Sequence, residues 1–265
     1  MTAPSVRLAL LGNPLSHSRS PLIHRAAFAA CGIAGEYESR EVDASGFAAA
    51  CGDILAGRLD GANVTMPYKV AAQLRCDELN PDAERAGAVN TLARRDGGLA
   101  GWNTDVGALR EALASLPDLP VLVLGAGGAA SAALVAAAGR RQIVAARRPA
   151  AARRLAERVD TGATAGEWGT AVPGVVVVNA TPLGMHAEAL PGAVLAVAQG
   201  LIDLAYGPVE TPALAVARSR GIPAIDGVSL LVAQAAASFE IWTGREAPRD
   251  AMESAARSPE SLKAP

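Results

Sequence analysis

Apolar and polar positions along the chain fall into blocks whose period changes, and the blocks predict an α/β protein. Val6 to Leu11 is an apolar run that stops at Gly12-Asn13-Pro14, as a strand does on entering a turn. Ser20-Pro21 then predicts a helix start, with Ser20 at the N-cap and Pro21 at the first helical position, running to about Cys31 before Gly32. Glu36 to Val42 reads as a strand, Ala44 to Ala56 as a helix and Leu59 to Val64 as a strand. Thr65-Met66-Pro67 closes that strand with a loop, because Pro67 bars Met66 from the helical region. Thr91 to Arg95 and Leu99 to Trp102 flank Asp96-Gly97-Gly98 as a hairpin, and Asn103-Thr104-Asp105 leads into a helix to about Ser115.

Pro117, Asp118 and Pro120 mark a change of organisation. Strands at 121 to 124, 142 to 146, 175 to 179, 201 to 204 and 223 to 225 then alternate with helical stretches, the pattern of a doubly wound α/β unit. Gly227 precedes an apolar helix, Val228 to Trp242, and Pro248 starts another; both are expected to cross back to the first domain. The expected division is one domain from 1–104 plus 228–265 and a Rossmann-type domain from 105–227. The tail from Ser258 is expected to fray.

Composition narrows the function. With 265 residues and 51% hydrophobic content the chain can bury a core in one or two domains. A net charge of -2 and 3% aromatic residues supply neither the basic footprint nor the stacking platforms of nucleic-acid binding, so the expected partner is a small molecule. Cys31, Cys51 and Cys76 show no C-x-x-C spacing and read as reduced thiols in a cytoplasmic protein. With only His17, His24 and His186 beside them, no metal site is expected. The uncharged stretch Leu119 to Gly139 has about the length of a membrane span, but the glycines at 125 to 128 split it into a strand and a helix, so no membrane segment is expected. A monomer or homodimer is expected.

That split is itself a motif. Val121 to Leu124 followed by Gly125-Ala126-Gly127-Gly128-Ala129-Ala130 fits G-x-G-x-x-G/A in the required strand-turn-helix setting. Gly125 permits the tight turn, Gly127 lets a pyrophosphate approach the backbone, and the helix N-terminus offers N–H donors and partial positive charge. NAD enzymes place an acid about 20 positions on to bind the ribose, yet no Asp or Glu lies between Gly125 and Arg154. Arg147 and Arg148 follow the next strand instead, with Arg153 and Arg154 on the helix beyond, which suits the 2′-phosphate of NADP.

The first domain carries polar groups that a fold alone does not require. Ser18 and Ser20 precede a helix N-terminus, where hydroxyl and N–H groups suit a carboxylate. Lys69 projects from the turn after a strand, and Asn90 and Asp105 stand at the ends of neighbouring elements. The segments GNPLSHSRSP, NVTMPYK, GAVNT, GWNTD, GAGGAA, NATPLGM and DGVSLLVAQAA occur in an order that resembles the shikimate dehydrogenase family from residue 12 to about 245. The resemblance implies NADP-linked, reversible oxidation of shikimate to 3-dehydroshikimate. It implies Lys69 and Asp105 as the catalytic pair, Ser18 and Ser20 on the substrate carboxylate, and Thr65, Asn90 and Gln234 on its hydroxyls. It further implies Tyr206 at the edge of the substrate and Gly227 beside the nicotinamide, with Gly125, Ala126, Gly127, Gly128, Ala129, Arg147 and Arg148 binding the rest of the cofactor. Two positions depart from the family pattern: Ala146-Arg147-Arg148 stands where Asn-Arg-Thr is frequent, and Arg25 follows His24 where many members have Asn. Family alternatives are a quinate/shikimate dehydrogenase that uses NAD and a non-catalytic sensor of shikimate-like ligands; Ser18 with the arginines opposes the first, and Lys69, Asp105 and the cofactor turn oppose the second.

Overall fold

A computed structural model describes residues 5–16, 18–159 and 161–258. His17 and the tail beyond Ser258, including its expected fraying, lie outside the described residues. The chain divides into two compact units, one ending at Thr104 and resuming at Leu231, the other running from Asp105 to Leu230. The second break falls inside the helix Gly227–Thr243, three residues beyond the boundary expected at 227/228.

In the first unit, β1 (Val6–Gly12), α1 (Ser20–Ala30), β2 (Gly35–Glu41), α2 (Ala44–Leu55) and β3 (Gly61–Val64) alternate as the pattern predicts. They are followed by α3 (Lys69–Gln73), β4 (Glu78–Leu79), α4 (Pro81–Ala86), β5 (Thr91–Arg95) and β6 (Gly98–Trp102). The described strands form a six-stranded sheet in the order β2-β1-β3-β5-β6-β4. β1 is parallel to both its neighbours, and its last five residues are buried, as expected of an apolar strand covered on both faces. β5 alone runs antiparallel to the strands beside it. Leu11, Phe47, Ile54, Val64, Leu92 and Leu99 sit in one core cluster on this sheet. The two last helices, α10 (Gly227–Thr243) and α11 (Arg249–Arg257), return to this unit from Leu231 onward: Trp242 Nε1 donates to the Leu92 carbonyl at 3.0 Å, and α11 packs on α1.

One expectation is corrected here. Arg19, and not Ser20, occupies the N-cap of α1, and Ser20 is already helical. The reason is local: the Ser18 hydroxyl accepts the Ser20 N–H at 3.3 Å, a short-range turn that draws Ser20 into the helix and leaves Arg19 at an N-cap without a side-chain hydrogen bond.

The second unit takes α5 (Thr104–Ala114) from its second residue, then β7 (Val121–Leu124), α6 (Gly128–Ala136), β8 (Gln142–Ala145), α7 (Pro149–Val159), β9 (Thr164–Gly166), β10 (Val176–Asn179), α8 (Gly192–Val197), β11 (Gly200–Asp203), α9 (Pro212–Arg220) and β12 (Ala224–Ile225). Its strands pair in parallel in the order β12-β11-β10-β7-β8-β9. Counted from β7 as the first strand, this is the 3-2-1-4-5-6 order of a dinucleotide-binding sheet. Every residue of β7, β8, β10 and β11 is buried, which explains why they read as continuous apolar runs. No described helix is long and apolar enough to cross a membrane.

Candidate active site

In the first unit the reversal of β5 assembles the site. Asn63 of β3 pairs with Thr91 of β5, and Thr91 pairs with Trp102 of β6. The end of β3, the start of β5 and the end of β6 therefore lie side by side, and segments far apart in sequence deliver Thr65, Asn90 and Thr104 to one place. Asn90 is buried, and its amide orientation is set by an obligatory donor: the Thr104 main-chain N–H reaches Asn90 Oδ1 at 2.8 Å. Asn90 Nδ2 must then face the Thr104 hydroxyl at 2.9 Å and Gln234 Oε1 at 3.4 Å. Gln234 is oriented in turn, because its Nε2 donates to the Leu231 carbonyl at 3.0 Å. Two amides implied as substrate ligands thus sit together with their donor and acceptor ends fixed.

Behind them lies a second buried layer. Asn63 Nδ2 stands within 3.0 to 3.1 Å of the Asn90 carbonyl, Thr91 Oγ1 and Ser238 Oγ. Its Oδ1 accepts from the Tyr37 hydroxyl at 2.8 Å. His24 stacks on Tyr37 with ring centroids 4.3 Å apart. It is fully buried and neither ring nitrogen has a partner of hydrogen-bonding geometry among the described residues. Burial lowers its pKa to about 3, with the nearby Asn63 side chain opposing the shift only in part.

Thr65 and Lys69 occupy the turn after β3, both half-buried. The turn is clamped through its backbone: the Thr65 N–H donates to the Leu11 carbonyl at 2.9 Å, the Asn13 N–H to the Met66 carbonyl at 3.1 Å, and the Val89 N–H to the Lys69 carbonyl at 2.9 Å. Tyr68 adds a stack on Phe47 and a hydrogen bond from its hydroxyl to the Val42 carbonyl. Lys69 thereby leaves a fixed backbone as the first residue of α3. In the loop before α1, Ser18 is half-buried and Ser20 buried, while the buried Arg19 guanidinium donates to the Ala256 carbonyl at the end of α11. A cleft of about 350 Å³ beside this loop takes in Ser18, Arg25 and Glu41 but none of Thr65, Lys69, Asn90 or Gln234.

Asp105 stands in the first turn of α5, one residue beyond Thr104 and so in the second unit. There the glycine turn follows β7 next to β10, where the strand order reverses. Gly125 has φ +125°, and a Cβ on it would lie 2.7 Å from the Ala180 carbonyl, so only glycine lets the loops after β7 and β10 close up. Gly127 is exposed, has nothing within 4 Å of a Cβ position, and caps α6 without any side-chain hydrogen bond. The open space at Gly127 and the uncapped N-terminus of α6, with Ala126, Gly128 and Ala129 half-buried around it, fit a pyrophosphate. Arg147 and Arg148 are both exposed just after β8 and form no ion pair with a described residue, which fits a 2′-phosphate.

At the ends of β10 and β11 sits a hub that the sequence did not announce. Asp203 is fully buried and accepts from Asn179 Nδ2 at 2.7 Å, Thr211 Oγ1 at 2.5 Å and the Ala205 N–H at 3.1 Å. Burial raises its pKa, against the pull of the Thr211 and Asn179 hydrogen bonds. Asn179 also binds the Leu183 carbonyl and the Thr181 N–H, so the hub shapes both the 179 to 185 loop and the segment leading to the half-buried Tyr206. Gly227 begins α10 with a Cβ position 2.7 Å from the Leu204 carbonyl, packed against that same segment. In the first unit the residue missed was Ser238, buried one turn beyond Gln234; a serine on an apolar helix gives no signal of its own. No group of three or more metal-binding side chains occurs among the described residues.

Known proteins share this layout. A family model described as the shikimate dehydrogenase substrate binding domain matches residues 10–92, and one described as the shikimate 5′-dehydrogenase C-terminal domain matches residues 227–257. The shikimate dehydrogenase (NADP(+)) of Moorella thermoacetica is 40% identical over 265 residues, covering 91% of this chain and 89% of the relative. The crystal structure of shikimate 5-dehydrogenase from Thermus thermophilus in complex with NADP(H) and shikimate superposes with a TM-score of 0.87 at 35% identity, covering 97% of this chain and 100% of the other. A ligand-free 5-ketofructose reductase of a Gluconobacter strain reaches a TM-score of 0.85 at 29% identity, covering 96% and 98% of the two chains, so the backbone by itself does not select one substrate.

Proposed function

Since the chain belongs to the shikimate dehydrogenase family, we propose that it interconverts 3-dehydroshikimate and shikimate with NADP as the redox partner. The observation that carries the reading is the pair of oriented amides, Asn90 and Gln234, in the same unit as Ser18, Ser20, Thr65 and Lys69. Such a set offers donors and acceptors to a ring bearing several hydroxyls and one carboxylate. Residues 1–104 with 228–265 serve as the substrate domain and 105–227 as the NADP domain. The enzyme acts in the cytoplasm on a small molecule, as a monomer or homodimer, with no nucleic-acid or membrane partner.

Ser18 and Ser20 hold the substrate carboxylate; Thr65, Asn90 and Gln234 hold its hydroxyls, and Tyr206 closes one edge. Lys69 exchanges the proton of the reacting hydroxyl at its Nζ, while Asp105 orients that amine and accepts from a neighbouring hydroxyl. Gly125, Ala126, Gly127, Gly128 and Ala129 hold the pyrophosphate, Arg147 and Arg148 the 2′-phosphate, and Gly227 flanks the nicotinamide. When bound, NADP supplies the hydride chemistry. The test is absorbance of NADPH with shikimate and NADP, run beside quinate and NAD. Turnover with shikimate and NADP is expected to dominate. A preference for quinate with NAD would assign the chain to the broader relatives, and no turnover with any pair would overturn an enzymatic role.

A further inference from the structure

Resting on the site reading just given, we infer that Ser238 is a positioning residue for substrate binding, acting through Asn90 and Gln234 without touching the substrate itself. Its hydroxyl is fully buried on α10, one turn beyond Gln234. Four polar groups converge on it: the Gln234 carbonyl at 3.0 Å, Asn63 Nδ2 at 3.0 Å, Thr91 Oγ1 at 2.8 Å and Thr104 Oγ1 at 3.3 Å. Ser238 thus ties the helix that carries Gln234 to the strand ends that carry Asn90 and Thr104, beside the Gln234 side chain, whose Oε1 stands 3.4 Å from both Asn90 Nδ2 and Thr104 Oγ1.

Proton bookkeeping gives the hydroxyl its part. Ser238 donates its single proton to the Gln234 carbonyl, so its oxygen is an acceptor for the groups behind it. Thr91 then donates to Ser238 and accepts from Asn63. With Ser238 removed, the acceptor left to the Thr91 hydroxyl among the described residues is Asn90 Oδ1 at 3.1 Å. That oxygen is already held by the Thr104 N–H, whose grip fixes which end of the Asn90 amide faces Gln234. A buried hydroxyl does not go unpaired cheaply, so Thr91 turns its proton to the second lone pair of Asn90 Oδ1, and the strand ends that carry Asn90 and Thr104 lose their tie through Ser238 to the helix that sets Gln234 against them.

The experiment measures KM and kcat for shikimate, KM for NADP, and melting temperature in five variants. Ser238→Ala is expected to raise KM for shikimate about three- to tenfold, the equivalent of one neutral hydrogen bond, with kcat within about twofold and KM for NADP unchanged. Ser238→Cys refills the volume with a poor acceptor and is expected to reproduce the rise. Thr91→Val, which removes one tie to Ser238 and leaves those of Asn63 and Thr104, is expected to raise KM by less than Ser238→Ala. In a Gln234→Ala background the added effect of Ser238→Ala is expected to shrink below about twofold. Rescue by Cys, or a full added effect in that background, would assign Ser238 to packing and overturn the inference. Unchanged KM in Ser238→Ala would overturn it as well, provided Gln234→Ala itself raises KM for shikimate; if Gln234→Ala does not, the site reading beneath it fails first.

Discussion

The two units prepare the groups proposed to meet their ligands by opposite means. In the first, the groups proposed to meet the substrate are side chains held by other side chains, from Gln234 and Asn90 through Thr91, Ser238 and Asn63 to Tyr37. In the second, the groups proposed to meet NADP are main-chain amides at a glycine turn and two exposed guanidinium groups. The contrast follows from the ligands. A small polyol presents hydroxyls that differ only in direction, and fixed amide and hydroxyl partners discriminate direction. A dinucleotide presents phosphates, which backbone N–H groups and arginines bind wherever the chain leaves room for them.

Four variants test that contrast. Lys69→Ala should lower kcat by about two to four decades with a small change in KM for shikimate, as lost acid-base chemistry does; near-normal kcat would remove Lys69 from the reaction. Gly125→Ala places a Cβ at positive φ and against the Ala180 carbonyl, a strain of about 1–3 kcal/mol. It should raise KM for NADP and lower the melting temperature by roughly 2–12 °C. Gly127→Ala, in open space, should raise KM for NADP with the melting temperature of the free protein unmoved. Equal melting temperatures for these two variants would refute the reading of the turn. Replacing Arg147 and Arg148 together by Gln should narrow the preference for NADP over NAD by about tenfold, ~1.4 kcal/mol, without touching KM for shikimate.

A separate effect, on stability and not on turnover, concerns the base of the first unit's network. His24 is neutral when folded, with its pKa held at about 3 against an ordinary 6.5. The unfolded chain therefore takes up a proton that the folded one refuses, and stability falls as pH drops from 6.5 toward 3, by up to ~1.4 kcal/mol per unit. His24→Phe, which keeps a ring against Tyr37, should flatten the dependence of melting temperature on pH between about 6.5 and 5. An unaltered slope would show that His24 titrates as it does in the unfolded chain.

Much of this molecule is legible without coordinates. The central strands of the second unit, β7, β8, β10 and β11, are visible because each is buried on both faces and so is largely apolar, and the glycine turn because its three glycines sit between a strand and a helix. Shorter elements are not. β9 is an exposed edge of three residues with no apolar face, and α3 has five residues with a single one buried. α4 carries the right signals, since Asn80 caps it by accepting the Ala83 N–H, Pro81 opens it and Gly87 closes it in the left-handed region, but six residues give no periodicity to draw attention. The proposed substrate residues are legible one at a time; their joining is not, because hydrogen bonds from Asn63 to Thr91 and from Thr91 to Ser238 depend on strand register and helix rotation. Asp203 stands out in the chain only as a neighbour of Tyr206, since nothing in a sequence tells a buried carboxylate with three donors from a solvated one.

The reversed strand β5 has a practical side. Its first residue belongs to the row that carries Asn63 and Trp102, whereas its last, Arg95, faces Gly98 across a tip formed by Asp96 and Gly97. Four residue steps, about 14 Å of extended chain, separate the two ends, and no heavy atom comes within 4 Å of a Cβ position on Gly97. The tip is thus a port into the first unit: a reporter peptide or fluorophore grafted there would ride on the hairpin that begins directly after Asn90 while leaving the paired row, and the amides anchored to it, in register.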